Sequence, residues 1–413
     1  MRKGTGASVK KTTQGERSSG ESGFEVGGFR FGSATAGLKP SGLTDTALVV
    51  ADAPVAAGGV FTRNRFRAAP VDLAVERLKA GRLRGLVVNS GNANACTGAR
   101  GVEDARRMTE LAAKAVGAAP EEIAPASTGL IGAPLAMGKL GGGIRRAATA
   151  LDPAGASGFA EAIRTTDAFA KMVAAPVPAA SGDATILGIA KGAGMIAPEM
   201  ATLLVFVLTD ADLRPAEARS LAREIARTSF NGLSVDGDTS TNDALFVLAS
   251  GAKPLRRRGR GLPANFVETA RQVGRDLAVL VARDGEGATR VVRLSVCGAA
   301  TANEARRVAR TVTRSTLVKA AFHGADPNWG RIACAVGYSG VPVDPERVKI
   351  AIGGVEVFAG GLGVAGARAR ARRRMCRDEV EVRIDLGRGK AHASAITSDL
   401  SPAYVEFNSA YTT

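Results

Sequence analysis

The chain has 413 residues and a mass of 42.2 kDa, which is enough for roughly two or three domains of ordinary size. Hydrophobic residues make up 45% of the sequence but aromatic residues only 4%, so the core must consist mainly of Ala, Val, Leu and Ile. No apolar run reaches the roughly 20 residues that a membrane-spanning helix needs, and this excludes a membrane protein of that kind.

Basic residues outnumber acidic ones by 55 to 39, giving a net charge of +16 and a pI of about 10.3. Such an excess of basic residues is typical of proteins that bind nucleic acid, a membrane surface or an anionic metabolite. The densest basic runs lie at 256–260 and 368–377. Recognition of nucleic acid would also call for aromatic stacking platforms, and one Trp and three Tyr supply few of them. We therefore interpret the runs as solvated surface or subunit contacts, with nucleic acid disfavoured as a partner.

The four cysteines lie far apart without a CxxC pair, and the chain contains only two histidines. This composition excludes a Cys/His zinc site at the usual spacing, and we expect neither a metal nor a bound cofactor. A Ser-His-Asp mechanism would depend on one of just two histidines, so that class of catalysis is disfavoured.

The first 22 residues are polar, rich in Gly and Ser and without any period, so we interpret 1–22 as a flexible tail. Basic residues occur there, but no apolar segment follows them, so a secretory signal is not expected and a reducing cytoplasm is the default location. From Phe24 to about Arg67, short apolar runs alternate with Gly, which predicts strands and hairpins.

Further along, strands and helices alternate. The pattern predicts strands at 85–89, 184–190, 202–209, 244–251 and 289–298, and helices at 102–117, 218–226, 264–283 and 302–320. The run from 202 to 209 is almost continuously apolar, which suits a strand covered on both faces of its sheet. The final part is richer in strands, with candidates in VKIAIGG and EVEVRIDL. The sum predicts an α/β protein of layered sheets with helices outside and a strand-rich C-terminal part, in which 251–262 is a surface loop.

One loop-to-strand junction stands out. Lys191, Gly192 and Gly194 precede Ala201 and Thr202, at the entry to the apolar strand. Side chains at such an entry are held rigidly and can still face a cleft. From residue types alone, the GAG sequence is a weak phosphate-loop candidate, because neither GxxxxGK[ST] nor GxGxxG is completed. A tight turn before a core strand explains the same residues equally simply.

The string KGAGMIAPEMATLL resembles the KGSGMIAPNMATML signature of the ornithine acetyltransferase (glutamate N-acetyltransferase) family of arginine biosynthesis. Other similar segments are AAGGVFTRNRFRAAPV, VVNSGNANACTG, ASTGLIG, TTDAFAK, FNGLSVDGDTSTND, ARDGEGATR, GADPNWGRIACAVGYSG and YVEFNSAYTT. The resemblance extends from about Phe24 to Thr413. It implies an N-terminal-nucleophile-like arrangement of the layered sheets.

The resemblance implies that the precursor cuts itself between Ala201 and Thr202. The N-terminal chain then consists of the tail followed by the part 23–201, and the C-terminal chain is 202–413. The new N-terminal Thr202 is then the nucleophile. Its α-amine, with an ordinary pKa of about 7.7–8.0, can act as base toward its own hydroxyl, so no histidine is needed. Glu199 stands where the signature has Asn, and a negative charge so close to the forming oxyanion is expected to slow the cleavage.

The family likeness also assigns roles to residues outside the signature. Thr128 and Gly129 resemble the oxyanion-hole pair, a hydroxyl and a backbone N–H that stabilise the developing alkoxide. The expected substrate contacts are Thr166, Lys191, Thr202, Glu286, Asn408 and Thr413. Because Thr165 and Thr166 are adjacent, Thr165 is the alternative to Thr166 for this substrate contact. Apolar Val405 and Phe407 are expected to anchor the chain end beside the cleft.

The implied reaction moves acetyl from N2-acetylornithine to Thr202 and then to glutamate, without a metal or bound cofactor. Acetyl-CoA is left open as a second donor, expected to be a poor one because no phosphate loop is present. The two cleaved chains are expected to remain together, in a heterotetramer of two pairs, away from any membrane. The alternative is a self-processing amidase or aminopeptidase of the same architecture, in which water accepts the acyl group.

Overall fold

The computed structural model describes residues 12–13, 24–197, 203–257 and 259–410. Its strands are β1 Thr12–Thr13, β2 Phe29–Ala34, β3 Thr46–Phe61, β4 Arg82–Asn92, β5 Ile123–Leu130, β6 Lys171–Ala179, β7 Gly182–Lys191, β8 Leu204–Ala211, β9 Leu233–Ser234, β10 Ala244–Lys253, β11 Val291–Ala299, β12 Lys349–Ile352, β13 Val355–Ala359, β14 Leu362–Gly363, β15 Glu379–Asp385 and β16 Ala391–Ser398.

The α-helices are α1 Ala69–Arg77, α2 Gly98–Val116, α3 Met137–Thr149, α4 Ala156–Ala162, α5 Pro215–Thr228, α6 Ala264–Arg283, α7 Ala302–Arg314, α8 Thr316–His323, α9 Trp329–Gly337, α10 Ala367–Met375 and α11 Pro402–Ala410. Short 3₁₀ turns span Leu78–Ala80, Pro120–Glu122 and Phe230–Gly232.

Nine strands form the first sheet, in the order β1-β6-β7-β8-β10-β3-β4-β5, with β2 also pairing with β3. Every residue of β8 is buried. Its side chains alternate between two cores, because Val205 and Val207 face α5 and α6 whereas Phe206 and Leu208 pack with β2 and α4 on the other face. The predicted strand covered on both faces is thereby confirmed, and it runs through the middle of the sheet.

The second sheet has seven strands in the order β14-β13-β12-β15-β11-β16-β9. Helices α7 to α10 cover one of its faces through an aliphatic core that includes Val292, Val308 and Ile350. The layered α/β class and the strand-rich C-terminal part are confirmed. In the described residues, no helix is both long and apolar enough to cross a membrane.

Two local predictions are wrong. The helix expected over 302–320 is two helices, because Ser315 takes an extended conformation and its side chain accepts a hydrogen bond from the Val318 N–H to start α8. The chain end is helix α11, in which Val405, expected to anchor it, is 63% exposed. The hydrophobic residues there lie on a helix that buries no residue, so composition alone misjudged their environment.

Candidate active site

The polar residues singled out from the sequence converge on a cavity of about 450 Å³ beside the first sheet. Thr128, Gly129, Thr166, Lys191, Glu286 and Asn408 all line its wall. The other lining residues are Ala93, Ile131, Thr165, Gly194, Met195, Asp236, Asp238, Thr239, Ser240, Thr241, Asn242 and Tyr404. The fold therefore brings together six predicted site residues that are up to 280 positions apart in the chain.

The two residues predicted to form the oxyanion hole lie at the end of β5. Thr128 is buried there, and Gly129 has φ +129°. A Cβ at Gly129 would stand 2.4 Å from the carbonyl carbon of Gly91 and 2.5 Å from the Asn92 nitrogen. Only glycine allows this close approach of β4 and β5, so the backbone geometry itself requires glycine at position 129.

Lys191, at the end of β7, brings a buried ammonium group close to Thr128. Its Nζ donates to Thr165 Oγ1 at 2.6 Å and to Thr128 Oγ1 at 3.2 Å. Because the Thr128 oxygen accepts from the lysine, its own proton is available to a ligand oxygen. Burial lowers the pKa of Lys191, although the nearby Asp167 carboxylate opposes that shift. Thr165 bonds Lys191 while Thr166 also lines the cavity, so both threonines belong to the site.

Beneath Lys191 lies a buried ionic network that the sequence analysis missed. Lys171 Nζ donates to Asp167 Oδ1 at 2.7 Å and to Asp284 Oδ2 at 2.5 Å, and all three side chains are almost fully buried. Asp167 Oδ1 also accepts from the Gly192 N–H at 2.6 Å. Burial would raise the pKa of Asp167, but the two lysines outweigh it and hold that pKa well below its ordinary value. The network fixes the 191–192 backbone at the floor of the cavity.

Carboxylates also line the cavity. Glu286 lies in the turn after α6, and its Oε2 accepts from Asn408 Nδ2 of α11 at 2.9 Å. The turn is attached to the signature segment, since the Glu286 N–H donates to the Ala193 carbonyl at 2.9 Å. Tyr404 of α11 lines the same cavity. The pair of Glu286 and Asn408, proposed from sequence as ligand contacts, therefore meets directly in the fold.

Asp236 organises the segment that leads toward the predicted cleavage site. Its carboxylate accepts from the N–H groups of Met195 at 2.5 Å and Ile196 at 2.9 Å. The Ile196 carbonyl in turn accepts from three successive N–H groups at 235–237. Burial raises the pKa of Asp236 to about 6. The carboxylate acts here as a backbone anchor, and the conformation it holds includes Met195 at φ +56°.

Two adjacent buried residues connect the end of β5, next to Thr128, to the start of β8. Asn242 Nδ2 donates to the carbonyls of Ala93 at 2.6 Å and Ser127 at 2.9 Å, directly before Thr128. Asp243 Oδ1 accepts from the Leu203 N–H at 2.8 Å, directly after Thr202. Burial raises the pKa of Asp243 well above its ordinary value. Sequence reasoning missed both roles, although two polar residues directly before a buried strand were a usable signal.

Several predicted positions lie outside the described residues: Ala201, Thr202, Thr413 and the neighbouring Glu199. Leu203 and Ala197 are the described residues on either side of the predicted cleavage region, and both are buried. Among the residues that the structure describes, no cluster of three or more His, Cys, Asp or Glu side chains is suited to hold a metal ion.

The fold is a layered α/β arrangement, and its cavity is lined by a buried lysine and by carboxylates. This combination defines an enzyme site for a small charged molecule. A family model described as the ArgJ family matches residues 30–413. The chain belongs to the ArgJ family, and it is an enzyme of arginine biosynthesis.

Individual relatives agree with this assignment. The chain is 46% identical over 383 residues to the arginine biosynthesis bifunctional protein ArgJ of Geobacter sulfurreducens, covering 92% of this chain and 97% of that protein. It is 45% identical over 383 residues to the protein of the same name from Thermus thermophilus, covering 92% of this chain and 96% of the relative.

Two solved structures are also similar. The arginine biosynthesis bifunctional protein argJ of Bacillus halodurans is 38% identical, with a TM-score of 0.47, and the match covers 50% of this chain and 98% of that one. The ornithine acetyltransferase of Mycobacterium tuberculosis, solved in complex with ornithine, is 38% identical with a TM-score of 0.42, covering 46% and 99% respectively.

Proposed function

We propose that this enzyme transfers an acetyl group from N2-acetylornithine to glutamate through an acetyl ester on Thr202, after self-cleavage between Ala201 and Thr202. The observation that carries the proposal is the meeting of Thr128, Gly129, Lys191 and Glu286 in one cavity next to the start of β8. The curated relatives named above are bifunctional proteins of arginine biosynthesis, which agrees with this class of substrate.

The charges of the cavity complement N2-acetylornithine. The donor carries an α-carboxylate, a neutral acetamide and a δ-ammonium group. Lys191 is the cation for the carboxylate, and Thr165 and Thr166 line the same cavity. Glu286 and Asn408 offer oxygen acceptors to the δ-ammonium group. The acetamide is bonded to the same carbon as the carboxylate, so a carboxylate held at Lys191 brings the acetamide close to Thr128.

Self-cleavage is an N-to-O acyl shift followed by hydrolysis. The Thr202 hydroxyl oxygen attacks the Ala201 carbonyl carbon, the peptide C–N bond breaks, and the nitrogen takes up the proton lost by the hydroxyl. Water then hydrolyses the ester, leaving a carboxylate on Ala201 and both a free amine and a free hydroxyl on Thr202. Asn242 and Asp243 support this step, because they hold Ser127 and Leu203, the neighbours of the oxyanion hole and of the nucleophile.

Acetyl transfer repeats the same chemistry with the substrate. The Thr202 amine accepts the hydroxyl proton while the hydroxyl oxygen attacks the acetamide carbonyl. The acetamide C–N bond breaks, and ornithine leaves after its nitrogen has taken up that proton. The neutral α-amine of glutamate then attacks the ester and regenerates the hydroxyl. Thr128 and Gly129 stabilise both tetrahedral oxyanions, and one such donor is typically worth about 2.7–4 kcal/mol of barrier.

The two chains made by cleavage are proposed to stay together. Strand β8 of the second chain pairs with β7 of the first, and β10 pairs with β3, so two strands of one chain lie between strands of the other. The cores on both faces of this sheet also combine residues from before and after the cut. We expect 1–201 and 202–413 to co-purify, as a heterotetramer of two such pairs.

The direct test follows both steps on purified protein. Intact-mass measurement should find two chains that end at Ala201 and begin at Thr202. Incubation with N2-acetylornithine and glutamate should yield ornithine and N-acetylglutamate in equal amounts. Accumulation of acetate instead would support the amidase alternative, and an uncut protein with full transfer would contradict the mechanism. Replacing the donor with acetyl-CoA in the same assay tests the second donor, which we expect to be the poorer one.

Glu286→Gln should lower kcat/KM for N2-acetylornithine by an amount equivalent to about 1.5–3 kcal/mol, because a neutral amide cannot balance the δ-ammonium group. Self-cleavage involves no ligand and should proceed normally in the variant. Steady-state kinetics provide the measurement, and Glu356→Gln, at an exposed position in β13, is the matched control. Unchanged kinetics in the Glu286 variant would show that this carboxylate does not bind the donor.

Gly194→Ala should weaken donor binding without unfolding the protein. A Cβ at position 194 would stand 2.4–2.5 Å from the Glu286 carboxylate, which is the movable end of a flexible side chain. The carboxylate must shift, so KM for N2-acetylornithine should rise by roughly tenfold, the scale of one hydrogen bond to a charged group. The control is Gly138→Ala in α3, where an added Cβ meets no atom within 4 Å. Equal KM values in both variants would contradict the proposed role of Glu286.

A further inference from the structure

A second cavity, of about 720 Å³, lies where α5, α6 and α7 meet β16. Five arginines from three helices line it: Arg227, Arg275, Arg306, Arg307 and Arg310. His392 and Ser394 of β16 also line it, together with Thr228, Asn231 and Asn303. None of the lining residues is acidic, and none of them lines the active-site cavity.

The arginines differ in how their charges are compensated. Arg227 pairs with Glu224 and Arg275 with Glu268, each on its own helix. Within the described part of the chain, Arg306 and Arg307 have no carboxylate within 4.0 Å, and both are exposed to the cavity. Arg306 and Arg307 therefore add uncompensated positive charge to the cavity, and a bound anion neutralises it.

We infer that this basic cleft binds a phosphorylated small molecule of nucleotide size, at a site separate from the active-site cavity. Arginine matches phosphate in planar, bidentate geometry, and several arginines from different helices can share a diphosphate. The volume lies within the range of sites that enclose small ligands, which favours such a ligand over a nucleic acid that needs an open surface.

The test measures binding of ADP and of inorganic tripolyphosphate to the full-length protein by titration calorimetry at about 150 mM salt, where weak surface attraction is screened. The variant is Arg306→Ala/Arg307→Ala, whose side chains are exposed, so the fold should be kept. The matched control is Arg372→Ala/Arg373→Ala, which removes the same charge from the exposed side of α10. We expect saturable binding of ADP, weakened at least about tenfold by the first variant and unchanged by the second.

Four results would overturn the inference. One is the absence of saturable binding by both probes, and another is an equal loss of affinity in the two variants, which would indicate general charge attraction. Saturable binding of a single-stranded RNA but not of ADP would make the cleft a nucleic-acid site. A change of sedimentation coefficient in the Arg306→Ala/Arg307→Ala variant would make it a contact between subunits. Each result is independent of whether Thr202 is the nucleophile.

Discussion

Thr202→Ala should leave a single uncut chain of 42.2 kDa without acetyl transfer activity. The hydroxyl is the attacking group in both reactions of the proposed mechanism, and the amine that serves as base exists only after cleavage. Thr202→Ser keeps a hydroxyl on the same backbone and should retain part of both activities. Intact-mass measurement and the acetylornithine-plus-glutamate assay report the two steps separately.

A suitable control is Thr149→Ala, on the exposed side of α3, where the hydroxyl donates only to the Arg146 carbonyl of its own helix. This variant should be cut and fully active. Full transfer by an uncut Thr202→Ala protein would remove Thr202 from the chemistry. Cleavage of Thr202→Ala at the same bond would require another nucleophile, even if transfer were lost.

Periodic apolar patterns were enough to predict most of the fold. The helix predicted over 264–283 has those bounds in the structure, and the strand predicted at 202–209 is found as β8 over Leu204–Ala211. The prediction of a single helix over 302–320 was wrong because an uninterrupted helical pattern does not reveal that Ser315 caps a new helix instead of continuing the old one. Such a choice between two local hydrogen bonds depends on packing that lies outside the pattern.

The site was predictable only in part. The family resemblance pointed to Thr128, Lys191, Glu286 and Asn408 as site residues. The structure brings these residues together in one cavity. Residue types alone could not have joined them, since the convergence depends on the crossing of strands far apart in sequence. The roles of these four residues remain predictions, as do those of Thr202 and Thr413.

The supporting residues were missed for a related physical reason. Asp167 and Lys171 were part of a recognised motif, but their partner Asp284 follows more than 110 residues later, at the end of α6. Charged residues are rarely buried without a partner, so a Lys at the start of an apolar strand such as β6 calls for a buried acid. The sequence pattern indicates that need but not which acid meets it.

Removal of the central cation of this network should be among the most destabilising single changes in the protein. Lys171→Met keeps the length of the side chain but leaves the buried Asp167 and Asp284 without their shared ammonium group. The loss of one partner of a buried ionic group typically costs about 3–5 kcal/mol of unfolding free energy. Urea unfolding in the Thr202→Ala background, where one chain is expected, avoids the complication of chain dissociation.

The pH dependence of the loss identifies its cause. Burial already raises the pKa of Asp284 in the parent, and loss of the ammonium group should raise it further. The pKa of Asp167 should also rise, although Lys191 still opposes the effect of burial there. The folded variant therefore binds more protons than the folded parent. The loss of unfolding free energy relative to the parent should therefore be largest at pH 8 and become smaller as the pH falls toward 5. Arg30→Met, which breaks the exposed pair with Asp52, should cost less than about 1 kcal/mol. A deficit in the Lys171 variant that stays constant with pH would point to a packing defect and contradict the electrostatic role.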